Sequence, residues 1–237
     1  MASPKKKTKQ TSRLSKFVVS VDCVIFGYIN NAIYVPLLMR ALEPYEDCWS
    51  LPGGPILDHE TPKQACLRKL EEDIGLKVEY LEQLYTFGEP DRDPRERAFS
   101  IGYFALIEET DRPLIWGSDS RTAQWFHIDK LPEGQWAFDH QKIVEMALNR
   151  LRGKLSYEPI GLSLLPEEFS LSELKTIYDV ILGKELDRRN FYKKIKSTGL
   201  LIPTKTVPST RGKPTQLYRF DQEQYAKLKE EGFSFEV

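Results

Sequence analysis

Leu51-Pro52-Gly53-Gly54-Pro55-Ile56-Leu57-Asp58-His59-Glu60, then seven residues from Thr61 to Leu67, then Arg68-Lys69-Leu70-Glu71-Glu72-Asp73-Ile74-Gly75-Leu76 is the stretch whose reading decides the fold. The paired glycines make a loop. Thr61 is a good N-cap, Pro62 suits the first helical position and Gln64 completes a capping box. A helix is therefore expected from Thr61 to about Ile74, stopped by Gly75. Positions 69, 72 and 73 are spaced i, i+3, i+4 and share one helical face. A face of carboxylates there would hold Mg²⁺, a hard cation that wants oxygen ligands. This chain places Lys69 beside Glu72 and Asp73. The ammonium can pair with both acids, and at about 4 Å and an effective dielectric of about 20 it repels a divalent ion by roughly 8 kcal/mol. Weak Mg²⁺ binding and little or no diphosphate hydrolysis are expected, with no cofactor required.

Upstream, Phe17–Tyr28 reads as a strand, Asn30-Asn31 as a turn and Ala32–Met39 as the partner strand. Downstream, Val78–Phe87, Ala98–Ile107 and Ala123–Ile128 are strand-like, and a helix runs from His140 to about Arg152. Mixed strands with two helices make an α/β unit over residues 16–154. Residues 1–15 read as a basic disordered tail, and residues 155–169 as a linker.

Residues 170–237 differ in pattern and charge. Ser170 opens a helix through a capping box with Glu173, and Leu171, Leu174, Ile177, Tyr178 and Ile181 recur at helical spacing. Gly183 ends it. Asp187 caps a second helix from Arg188 to about Ser197, with Phe191 and Ile195 facing inward. A short strand at Leu200–Ile202, a polar loop and a returning strand at Gln216–Phe220 follow. Helix, turn, helix, hairpin is the order of a winged helix-turn-helix. Lys184–Arg219 holds ten basic residues against two acidic ones, a net +8 in a chain of net charge −1. Such a basic segment on an acidic protein is the footprint of a polyanion site. Arg188, Arg189 and Asn190 start the second helix, where base edges are read, and Lys193 and Lys196 suit phosphates. Arg211 and Lys213 form the expected wing tip.

The opening stretch resembles the Nudix box, G-x5-E-x7-R-E-U-x-E-E-x-G-U, with Glu60, Arg68, Leu70, Glu72, Gly75 and Leu76 in place and Lys69 and Asp73 as departures. The implied fold is α/β, a Nudix α/β/α sandwich with a mixed sheet. Together with the Arg188-Arg189-Asn190-Phe191 helix and Arg211-Gly212-Lys213-Pro214, the chain is similar nearly throughout to the Nudix-related transcriptional regulators, NrtR. That resemblance implies a homodimer on double-stranded palindromic operator DNA. Its effector would be ADP-ribose or, in other branches, a sugar-type metabolite.

Arg40, Arg92, Arg95 and Arg97 are the candidates to grip such a ligand, since guanidinium groups take phosphates in bidentate fashion. An ion-pair cluster with Asp91, Asp93 and Glu96 is the other reading of that loop. A Nudix-type diphosphate pyrophosphatase is the rival function. His59, His127 and His140 lack ligand spacing and read as structural.

No run approaches the roughly 20 apolar residues of a membrane span. The first 15 residues lack a secretory h-region. Cys23, Cys48 and Cys66 are odd in number and scattered, which argues against a disulfide framework and for a reducing cytoplasm.

Overall fold

The computed structural model describes residues 16–232, apart from 79, 109–112, 210 and 211. The expected basic tail and Arg211 lie outside the described residues, and of Lys213 only the backbone is described.

Twelve residues rich in β-branched and aromatic side chains form the central strand, β1 (Val18–Ile29). Asn30 and Asn31 both take positive φ, 48° and 60°. That geometry suits a two-residue hairpin turn, and asparagine tolerates it. The chain returns as β2 (Ala32–Arg40). The loop before the decisive helix holds two short strands, β3 (Trp49–Ser50) and β4 (Gly53–Pro55), pairing β2 and β1. The helix follows as α1 (Pro62–Ile74), with Thr61, Gln64 and Gly75 in the expected capping roles.

The next strands are β5 (Glu82–Phe87), β6 (Ala98–Glu108) and β7 (Ser120–His127). Strand β5 begins four residues later than the apolar pattern suggests, because Val78 and Leu81 fill the α1 layer without joining the ladder. The sheet runs β3-β2-β1-β6-β5, with β4 on β1 and β7 on β2. Among the described strand pairs only β1 and β6 run parallel, from Val18↔Ala98 to Tyr28↔Glu108, so the sheet is mixed as expected.

Side chains alternate across β1, as a strand buried on both faces requires. Val21, Cys23 and Ile25 face Ala65, Cys66, Leu70 and Ile74 of α1. Val24 and Phe26 join the layer built on Ile143, Val144, Ala147 and Leu151 of α2 (His140–Leu155). The cysteine expectation needs correction. Cys23 and Cys66, both fully buried, meet sulfur to sulfur across β1 and α1, with Cα atoms 6.3 Å apart. An odd count and a separation of 43 residues cannot reveal that, since the sandwich creates the proximity.

Residues 155–169 are also not a free linker. Leu155 is the last residue of α2, and Ile160–Leu164 forms a 3₁₀ turn. Leu155, Leu164 and Phe169 are buried in the same core as Val24 and Phe26. Pro159, Gly161 and Pro166 break the periodicity that would reveal those positions. Gly161 has a packing role, since a Cβ there would lie 3.1 Å from Ile177 and 3.2 Å from Tyr178.

The winged helix-turn-helix comprises β8 (Phe169–Ser170), α3 (Leu171–Leu182), α4 (Arg188–Ser197), β9 (Leu201–Ser209) and β10 (Gly212–Phe220). The hairpin is longer than the sequence suggests. A last helix, α5 (Gln222–Glu230), lacks a clear apolar stripe in the sequence and buries none of its residues. The sheet of this unit runs β8-β10-β9. The α3 stripe Leu171, Leu174, Ile177, Tyr178 and Ile181 is buried as expected and belongs to the same core as the α2 layer. No described helix is long and apolar enough to cross a membrane.

Candidate functional site

On α1 the divergent face is closed by ion pairs. Lys69 Nζ lies 2.6 Å from Asp73 Oδ1 and 3.5 Å from Glu72 Oε2. Asp73 turns its other oxygen to the Gly53 N–H at 3.1 Å. Burial pushes the Asp73 carboxyl up, against the pull of Lys69 and the Gly53 N–H. The stem of Lys69 packs on Gly54, where a Cβ would come within 3.2 Å of Lys69 Cε. Gly53 is more constrained, since a Cβ there would lie 2.3 Å from the Val21 carbonyl oxygen.

Arg68 takes Glu60 in a bidentate grip, with Nε at 2.9 Å and Nη2 at 2.6 Å, and reaches Glu72 at 3.0 Å. The Arg68 hydrogen bonds hold the Glu60 carboxyl at about 2, helped by the Leu57 N–H. Both oxygens of Glu60 are thus committed. Among the described residues no group of three or more His, Cys, Asp or Glu could hold a metal ion. A donor set with an ammonium at its centre does not fit Mg²⁺.

A second charged cluster lies across the sheet, at the start of α2. Arg92, 7% exposed, donates to Asp22 Oδ2 on β1 at 3.1 Å and to both oxygens of Asp139 at 2.7 and 3.1 Å. Ser100 Oγ donates to Asp22 at 2.5 Å. His140 Nε2 lies 3.3 Å from Asp22 Oδ1, while Nδ1 accepts from the Leu51 N–H at 2.9 Å. Burial raises the Asp22 pKa, but His140, Arg92 and Ser100 outweigh it and hold the carboxyl at about 2.

The four ligand-candidate arginines are sorted by this geometry. Arg92, expected to grip a ligand, is held here in its buried ion network with Asp22 and Asp139. Arg97 stacks on Phe99 at 4.5 Å and Phe17 at 6.0 Å, and donates to the Glu89 carbonyl. Phe99 alternates with Ser100 on β6, so Arg97 and Asp22 lie on opposite faces of the sheet. Arg40 and Arg95 share the ring of Phe138, at 5.2 and 5.6 Å. The ion-pair reading holds in part, since Arg95 also pairs with Asp93 at 2.7 Å.

In the winged helix, Asp187 accepts from the Asn190 N–H at 2.8 Å and so starts α4. Phe191 and Ile195 anchor one face in the core. Arg188, Arg189, Asn190, Lys193 and Lys196 are all exposed. Arg189, Lys193 and Lys196 fall at i, i+4 and i+7 and make one row. Arg188 lies over the Tyr192 ring at 5.3 Å, and Lys196 Nζ over Tyr218 of β10 at 5.7 Å. These contacts steady two long side chains.

Comparison with known proteins agrees with this architecture. A Nudix domain is matched over residues 16–147, and an NrtR DNA-binding winged helix domain over residues 161–220. The ADPR responsive transcriptional repressor NtrR of Acinetobacter baylyi is 33% identical over 211 residues, covering 88% of this chain and 84% of that protein. The chain belongs to the NrtR family. The crystal structure of Shewanella oneidensis NrtR complexed with a 27mer DNA is 32% identical and aligns at a TM-score of 0.69, covering 85% of this chain and 93% of that one. The Nudix domain of the same NrtR complexed with ADP ribose is 30% identical, with a TM-score of 0.52, covering 60% of this chain and 94% of that one.

Sequence reading of this NrtR chain finds the α1 face and the α4 row because both are local patterns. It misses Asp22 and Ser100, and it marks the Ala137-Phe138-Asp139-His140 segment as opening a helix without giving Phe138 or Asp139 a partner. Each carries an unremarkable local signature, and only the fold gathers them.

Proposed function

We propose that this chain is an ADP-ribose-responsive transcriptional repressor that acts as a homodimer on a palindromic operator in the cytoplasm. The observation that carries the reading is the exposed α4 row of Arg189, Lys193 and Lys196, with Arg188 and Asn190 at its start. That helix is anchored in a core continuous with a Nudix domain whose metal face is closed by Lys69. Helix α4 enters the major groove, with Arg188, Arg189 and Asn190 at base edges and the lysines on phosphates. Two copies meet half-sites about one helical turn apart. ADP-ribose is favoured over a sugar-type effector by the Acinetobacter relative and the Shewanella complex.

Regulation requires that the effector bind the DNA-incompetent arrangement better, which shifts the population off DNA. Helix α2 is the physical link. Its first turn is tied to Asp22 through Asp139 and Arg92. Near its last turn, Arg152 Nε donates to the Ile181 carbonyl of α3 at 2.9 Å.

The test is fluorescence anisotropy on DNA from upstream of the chain's own gene and its neighbours, at fixed salt, with and without ADP-ribose. Specific binding released by ADP-ribose is expected. Binding released only by sugar phosphates would move the effector to the sugar branch. Mg²⁺-dependent cleavage of ADP-ribose without specific DNA binding would replace the reading with a pyrophosphatase.

A further inference from the structure

Arg40 is a half-buried guanidinium with no carboxylate in salt-bridge range among the described residues. Its hydrogen bonds go to carbonyl oxygens, Pro44 at 2.9 Å and Leu42 at 3.3 Å. Burial, then repulsion from Arg95, weakens its hold on its proton and outweighs the more distant pull of Asp119 and Asp93. A second cation, Arg95, lies over the same Phe138 ring, and Tyr45 meets that ring edge-on at 4.9 Å. Phe138 adopts φ +52°, a conformation costly for a non-glycine residue and often kept at ligand sites. The adjacent N-terminus of α2 has no side-chain cap, because the Asp139 carboxylate is turned to Arg92. Two guanidiniums, a helix N-terminus and an under-compensated charge thus converge where three segments meet: residues 40–48, residues 88–97 and the 137–139 entry to α2. An incoming anion would complete this arrangement.

We propose that Arg40, Arg95 and the start of α2 form the seat for a diphosphate group, packed against Phe138 and separate from the α1 face. This deepens the effector reading above and rests on the effector carrying phosphate. An anion bridging the three segments fixes the 88–97 loop, and with it Arg92, relative to Asp139. Occupation is thereby transmitted to α2 and, through Arg152, to α3.

The test is titration calorimetry of ADP-ribose and of inorganic pyrophosphate on the full chain and three variants. Arg95→Gln is the decisive one, because its exposed side chain bonds only within its own loop. Arg40→Gln is read beside its melting curve, since Arg40 also holds the 42–44 carbonyls. Arg97→Gln, on the other face of the sheet, is the control. Arg95→Gln is expected to weaken both ligands by about tenfold or more, and Arg97→Gln by less than about twofold. If Arg95→Gln and a folded Arg40→Gln bind ADP-ribose like wild type, the seat is wrong while the effector reading survives. If wild type binds pyrophosphate but not ADP-ribose, and Arg95→Gln loses it, the seat stands and ADP-ribose falls. If wild type binds neither, the seat is overturned.

Discussion

Lys69 Nζ sits 2.6 Å from Asp73 Oδ1, and that short pair occupies the centre of the α1 face. Both side chains are mostly buried, at 18% and 16% exposure, so the pair is better shielded from solvent than a typical surface salt bridge. Replacing the lysine by an acid reverses the sign of the site.

Lys69→Glu therefore sets a third carboxylate beside Glu72 and Asp73 on one face and leaves Arg68, which reaches only Glu72 of the three, as the neighbouring cation. Melting temperature is expected to drop in chelator and to recover with millimolar Mg²⁺, while wild type responds little. Equal Mg²⁺ responses in both proteins would show that Lys69 does not set metal affinity. Recovery of binding need not bring turnover, since Glu60 stays locked to Arg68.

Acid should destabilise the fold in a defined window. Asp22 and Glu60 are both held at about 2, against ordinary values of 3.8 and 4.5. A depressed carboxyl contributes stability that is present above its unfolded pKa and is lost as pH falls through the folded one. Urea midpoints should thus fall steadily from about pH 4.5 to about pH 2. The Asp22 part is about 2 kcal/mol. Asp22→Asn should flatten that slope while lowering stability at neutral pH, because Arg92 loses one of its two charged partners. An unchanged slope would mean that Asp22 is not the titrating group.

Arg188→Glu with Arg189→Glu should abolish specific operator binding yet leave ADP-ribose binding intact, since the two sites share no residue. Lys193→Ala should act more gently, reducing the salt slope by about one. Operator affinity equal to wild type in the double variant would remove α4 from the interface.

Tyr178 is 1% exposed, and its hydroxyl finds no hydrogen-bond partner among the described residues. A buried unsatisfied hydroxyl costs on the order of 1 kcal/mol or more. Tyr178→Phe keeps the ring packed against Phe191, 5.2 Å away, and removes that cost. It should raise the urea midpoint with an unchanged m-value. A loss of about 1 kcal/mol instead would reveal a partner for the hydroxyl.

Local signals carried a large part of this protein. Thr61, Gln64 and Gly75 bound α1, Ser170 and Glu173 open α3, and Asp187 opens α4, because caps act over three or four residues. The spacing of Lys69, Glu72 and Asp73 told which side chains share a face, and the charge run marked α4. These are properties of a chain segment and its own backbone.

Tertiary structure alone decided the rest. Cys23 meets Cys66 because α1 docks on β1, and Asp22, Ser100, Arg92 and Asp139 meet one another because the parallel pairing of β1 with β6 and the docking of α2 bring four separate segments together. The apparent linker became core because Leu155, Leu164 and Phe169 bury area against a layer built elsewhere in the chain. Arg92 and Arg95 stand three residues apart in one loop, yet one is spent on a buried ion pair and the other is left at the surface. Sequence determines a residue's charge and reach; which partners desolvate and neutralise it is set by the packing of distant segments, whose contacts no local window contains.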